Sequence, residues 1–196
     1  MKQFIFAAIA ALIPSVASAE GFYAGALYGS TSIDTGVNTV VGATLDEDDS
    51  GYAFVIGKEL DENLSIESFY VDFGEASLAG DNGDTFVVGS TSYVFTSSAT
   101  IKSTATSLGA AAKLHFDMAE KLNGFVKLGI HSWDSEITLS AATASATTTD
   151  EGIDILMGFG AEYDVSEKVA FVVGYDKYNL DDEEVTFLNG GIKVRF

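Results

Sequence analysis

The chain has 196 residues, 29 acidic against 10 basic, a formal net charge of −19, one proline and no cysteine. This length suits a single domain that does not rely on disulfides. The surplus of acid excludes nucleic acid and argues against anionic lipid as partners, because it repels phosphate.

The first 19 residues combine Lys2, an apolar run from Phe4 to Ile13, Pro14, and Ala17-Ser18-Ala19 before Glu20. This is the pattern of a secretory leader cleaved after Ala19. A spanning helix needs about 20 apolar residues, more than this run supplies. The mature domain is then 20–196, free of proline. No later stretch could cross a membrane as a helix, so a membrane-inserted form must be a closed barrel.

Eight segments alternate with the two-residue period of a half-buried strand: 22–30, 51–60, 64–73, 104–116, 124–136, 152–165, 169–179 and 188–196. In the first, Phe22, Ala24, Ala26 and Tyr28 oppose Tyr23, Gly25, Leu27 and Gly29. In the last, Leu188, Gly190, Ile192, Val194 and Phe196 oppose Asn189, Gly191, Lys193 and Arg195. Connections after the second, fourth and sixth segments are short, and those after the others are long. The connection 74–103 holds two β-prone stretches, 85–88 and 92–95, which either extend the flanking strands or form a separate hairpin. The Thr/Ala/Ser-rich stretch 139–151 reads as a low-complexity loop with little fixed structure. The acidic blocks 46–49 and 181–184 read as solvated loops; neither has EF-hand spacing, so no metal site is assigned.

One face of each strand is aromatic or aliphatic, while the other mixes glycine, alanine and isolated charges. A soluble sandwich would show a uniformly polar exterior, and a lipocalin-like binder would line its cavity with apolar residues. An even number of strands with alternating short and long connections predicts an all-β fold, an eight-stranded antiparallel up-and-down transmembrane β-barrel.

The segments Gly21-Phe22-Tyr23-Ala24-Gly25-Ala26, Leu64-Ser65-Ile66-Glu67 with Tyr70, Lys127-Leu128-Gly129, Gly160-Ala161-Glu162-Tyr163 and the terminal Phe196 resemble the OmpA-like or OmpX-like small outer-membrane β-barrels, across nearly the whole mature chain. The resemblance implies residence in the outer membrane among lipid and lipopolysaccharide. It also implies recognition of Ile192, Val194 and Phe196 by the barrel-assembly machinery, and a carboxylate and arginine network across the lumen. Glu67, Lys127 and Glu162 fall at matching positions. The family's arginine of strand seven aligns with Val172, which leaves Lys113, Lys193 or Arg195 to supply the cation. With the chain ending at Phe196, no peptidoglycan-binding domain is expected.

Catalysis has little support. Nucleophilic chemistry needs a base beside an activated hydroxyl, but Ser132 follows His131 directly and adjacent strand residues face opposite ways. Trp133 takes the position that a His-x-Ser pair would require, and reads as an interfacial or lumen-packing aromatic; His115 reads as solvated or bonded inside. No enzyme activity and no cofactor is expected. The leading expectation is a structural or surface-interaction barrel whose loops meet an unidentified ligand. A narrow ion-selective pore is the alternative, and a lipid-modifying enzyme or lipocalin-like binder a weaker one.

Overall fold

The computed structural model describes residues 21–181 and 183–196. The leader expected over 1–19 lies outside the described residues. Twelve strands are present: β1 (Phe22–Ile33), β2 (Val37–Val41), β3 (Thr44–Asp46), β4 (Asp48–Glu59), β5 (Leu64–Gly80), β6 (Thr85–Val88), β7 (Thr91–Val94), β8 (Ala99–Ala119), β9 (Leu122–Ala141), β10 (Ala144–Asp164), β11 (Val169–Leu180) and β12 (Glu183–Arg195).

The eight expected strands are all present, and four short ones add to them. Eight of the twelve, β1, β4, β5, β8, β9, β10, β11 and β12, pair antiparallel in chain order, and β12 returns to β1, which closes the cycle. The other four are short. β3 adds to the far end of β5, while β2, β6 and β7 make a small separate sheet. The stretches 85–88 and 92–95 thus fall in a hairpin of their own rather than extending the ring strands.

The first described strand begins and the last one ends on one rim, where the Phe196 amide donates to the Phe22 carbonyl at 2.9 Å. The same rim carries the short connections of β4 to β5, β8 to β9 and β10 to β11. The Asn63 amide caps the Asp61 side chain in the first of these at 2.8 Å, and in the third Ser166 Oγ accepts from the Val169 amide at 3.1 Å.

On the opposite rim, three readings need correction. The stretch 139–151 is no soft loop, because β9 and β10 pair continuously through it up to Ala141 opposite Ala144. Its threonines are β-branched and suit a pleated sheet, and Thr138 meets Thr147 across the pair at 3.1 Å. The acidic block 181–184 is no extended loop, since β11 runs to Leu180 and β12 already begins at Glu183. Asp181 takes the left-handed conformation (φ 57) that short polar side chains tolerate. Asp46, Asp48 and Asp49 belong to strands, and the Asp49 carboxylate clips the backbone, its Oδ2 accepting from the Glu75 amide at 2.8 Å.

That clip holds a bulge. Pairing of β5 with β8 slips between Asp72 and Glu75, and Gly74 sits there at φ 78. The extra residue reverses the alternation, so Phe73 and Ala76 are both buried.

The distribution of side chains is the reverse of a soluble protein's. Leu108, Leu128, Ile130, Phe159 and Val173 are each 59% exposed or more, whereas Glu67, Lys113, Glu162, Asp176 and Lys193 are buried. Apolar groups cover the outside of the ring, and charges lie within it.

Candidate functional site

Strand parity aims Glu67 of β5, Lys113 of β8, Glu162 of β10 and both Lys193 and Arg195 of β12 into the ring. Lys113 Nζ bridges two carboxylates, Glu162 Oε1 at 2.5 Å and Glu67 Oε1 at 3.1 Å. Glu162 also pairs with Lys193, and Arg195 joins it to the rim through Glu59 Oε1 at 2.9 Å and Asp164 Oδ1 at 2.8 Å. The Tyr23 hydroxyl donates to Glu67 at 2.8 Å. Lys113 lies 4.0 Å over the Phe125 ring and Lys193 4.8 Å over Tyr23. A buried carboxylate is tolerated only when paired in this way.

Lys127 does not join this network. It stands directly opposite Lys113 in the β8–β9 pair, an unfavourable register for like charges, and the two part. Lys127 leans to Asp176 Oδ2 at 2.8 Å, which also accepts from Asn189 Nδ2 at 3.0 Å. Of the six residues expected inside, five are thus connected and the sixth forms a second tier. Val172 is buried beside Glu162 in the register, and the cations come from β8 and β12.

Sequence reasoning missed Asp176, Asn189, Glu59, Asp164 and Tyr23 as partners. Parity held the signal for Asp176, which shares its face with Val172, Gly174 and Tyr178.

Gly158 allows the second tier to form. A Cβ there would lie 2.0 Å from Asp176 Oδ1 and 2.8 Å from Lys127 Cε. Gly158→Ala is expected to spread the ion pair and cost about 1–3 kcal/mol, the usual penalty of overpacking. The midpoint of urea unfolding in lipid vesicles measures it.

Free space among these side chains is about 20 Å³, room for roughly one water molecule. Toward the far rim the interior turns apolar, with Tyr178, Phe69, Phe73, Leu156, Trp133 and Phe187 in one packed cluster. Trp133 is therefore a lumen-packing residue. Its Nε1 donates to Asp154 Oδ2 at 2.9 Å, and the same oxygen caps the Asp181 amide at 3.0 Å. An open cavity of the lipocalin kind has no place in this interior.

Each histidine does meet a serine, across strands. Ser65 Oγ lies 2.9 Å from His115 Nε2, and Ser107 Oγ lies 2.8 Å from His131 Nδ1. Among the described residues no carboxylate bonds His131 Nε2 to orient that ring as a triad requires. Ser107 and His131 are 2% and 1% exposed, out of reach of a substrate. Among the described residues, no three His, Cys, Asp or Glu side chains are placed to hold a metal ion.

The region 4–196 matches the model of the outer membrane protein beta-barrel domain. Among curated proteins no sequence matches. The attachment invasion locus protein Ail of Yersinia pestis, solved in complex with the heparin analogue sucrose octasulfate, superposes with a TM-score of 0.56 at 14% identity, covering 90% of this chain and 99% of Ail. OprG from Pseudomonas aeruginosa gives 0.54 at 12% identity, over 90% and 97% of the two chains. Neisserial surface protein A gives 0.51 at 16%, over 90% and 98%. At these identities the likeness concerns the fold.

Proposed function

Because the chain belongs to the outer-membrane β-barrel domain family, we propose that it is a closed eight-stranded transmembrane barrel whose task lies on its extracellular sheet rather than in its lumen. It resides in the outer membrane. Outward side chains of β10 from Ile153 to Tyr163 are nearly all apolar. At about 3.3 Å per residue and a tilt of about 40°, that stretch rises roughly 25 Å, the height of a lipid-facing band. The rim with the short turns, where β1 begins and β12 ends, then faces the periplasm.

The observation that carries the reading is the contrast between a filled lumen and strands that outrun the membrane. β10 has 21 residues, about twice the 9–11 needed to span. Its pairing with β11 begins only at Leu156, so the backbone of residues 144–155 pairs with β9 alone and leaves a free strand edge. Such an edge receives an extended segment of a partner by strand addition.

The partner's chemistry differs from that of the ligand in the Ail complex. With a net charge of −19 and Asp34, Asp134, Glu136, Asp150 and Glu151 on the outer strands and turns, this surface repels sulfated polyanions. In the periplasm, Ile192, Val194 and Phe196 serve as the signal read by the assembly machinery. The Ser107–His131 pair is enclosed and offers a substrate no access. A narrow ion path is the second reading, supported by the two charged tiers.

Adjacent strand residues turn their amides to opposite edges, so one of Thr148 and Thr149 directs its donor to the free edge, and proline at that position removes the donor and leaves pairing with β9 intact. Cells displaying that variant are expected to lose most of the surface adhesion conferred by the chain. Adhesion unchanged by both substitutions would contradict the reading.

A further inference from the structure

Across β12, β1, β4, β5 and β8 the outer face is hollowed into a groove of about 610 Å³. Ala24, Ala26 and Ser68 form its floor, and Phe54, Ile56 and Ile192 rise around them. Two rows follow from the register. One places Ile192 beside Ala26, Phe54, Tyr70 and Leu108; the other places Val194 beside Ala24, Ile56 and Ser68. The next row toward the short-turn rim holds Phe22 opposite Lys58.

Lys58 is exposed, and its ammonium lies 5.0 Å over the Phe22 ring. Lys102, Lys113, Lys127, Lys177, Lys193 and Arg195 each hold a carboxylate. Among the described residues Lys58, Lys121 and Lys168 hold none, and all three stand on the short-turn rim. A free ammonium at the mouth of an apolar groove matches a phosphate attached to an acyl chain. The turn that follows β4, three and four residues along the chain from Lys58, carries exposed Asp61 and Glu62, carboxylates that repel an anionic headgroup and suit an ammonium.

We propose that this groove is a binding site for one zwitterionic phospholipid with a primary-ammonium headgroup, in the periplasmic leaflet. An acyl chain lies over Ala24, Ala26 and Ser68, the phosphate meets Lys58, and the headgroup ammonium meets Asp61 and Glu62. Global acidity still disfavours anionic lipid, and the local arrangement accepts the zwitterion. The site takes its leaflet from the orientation given above, and is independent of the adhesive role of the extracellular sheet.

Native mass spectrometry of the detergent-solubilised full chain, offered equal amounts of phosphatidylethanolamine, phosphatidylglycerol and lipid A, tests it. One phosphatidylethanolamine adduct is expected on the wild-type chain. Ala26→Leu, which fills the floor, and Lys58→Ser, which removes the cation at an exposed position, are each expected to cut the adduct at least fivefold. The double variant Asp61→Asn with Glu62→Gln should move the preference toward phosphatidylglycerol. Heat-shifted migration on a denaturing gel confirms that each variant is folded, and if Ala26→Leu does not fold, Lys58→Ser decides. Absence of a wild-type adduct, a lipid A adduct in its place, or an adduct undiminished in Lys58→Ser would overturn the proposal.

Discussion

Glu162→Gln unfolds at a much lower urea concentration than the wild-type chain, with a loss of about 3–5 kcal/mol, the cost of removing one partner from a buried ion pair. The Glu162 side chain is 1% exposed, and it serves Lys113 and Lys193, whose side chains are 4% and 3% exposed. Glutamine keeps one neutral oxygen between two ammonium groups that cannot reach water. Lys113 retains Glu67, but Lys193 is left with Glu59 at 3.6 Å. Lys127→Met should cost less, because Asp176 still accepts from Asn189 at 3.0 Å. Equilibrium unfolding of both variants in vesicles makes the comparison. A loss below about 1 kcal/mol for Glu162→Gln, typical of an exposed pair, would mean that water reaches the network.

Tyr178→Ala is the second large effect, expected at about 3–5 kcal/mol for emptying an aromatic site. Tyr178 is 1% exposed, and its ring centroid lies 4.9 Å from Phe73, 5.3 Å from His131 and 6.0 Å from Phe69, each near edge-on. Such edge contacts add about 0.5–1.5 kcal/mol apiece beyond burial. Tyr178→Phe keeps the ring and is expected to cost far less. The difference between the two variants reads the plug itself. Tyr178→Ala alone should not open a path, because the ion-paired tier toward the periplasm still closes the ring.

Parity made the interior legible in advance. Lys193 and Arg195 alternate with Ile192, Val194 and Phe196, and Glu67 and Glu162 likewise share faces with small or buried residues; the structure turns these charges inward. Parity does not reveal which charges meet. Lys127 finds Asp176 rather than Glu162, because contacts across a closed ring depend on strand stagger, and a two-residue period carries no record of stagger. The heights of the strands were misjudged for a different reason. Residues 139–151 lack apolar alternation because they stand in water, so a pattern search for half-buried strands passes over them, although their threonines pair well with β9. The bulge at Gly74 was hidden similarly, since Phe73 and Ala76 fall out of phase with each other in any fixed period. The early start of β12 at Glu183 was hidden by its charge, because an acidic run reads as solvated loop wherever the strand begins.

The central claim is that the lumen is sealed and that function lies on the extracellular sheet. Single-channel recording of the refolded mature chain in planar bilayers tests it most directly, alongside Glu162→Gln and Lys127→Met. A folded barrel that stays silent in all three forms is the predicted result; discrete conductance steps that change with either substitution would contradict it and make the two charged tiers the gate of a selective pore.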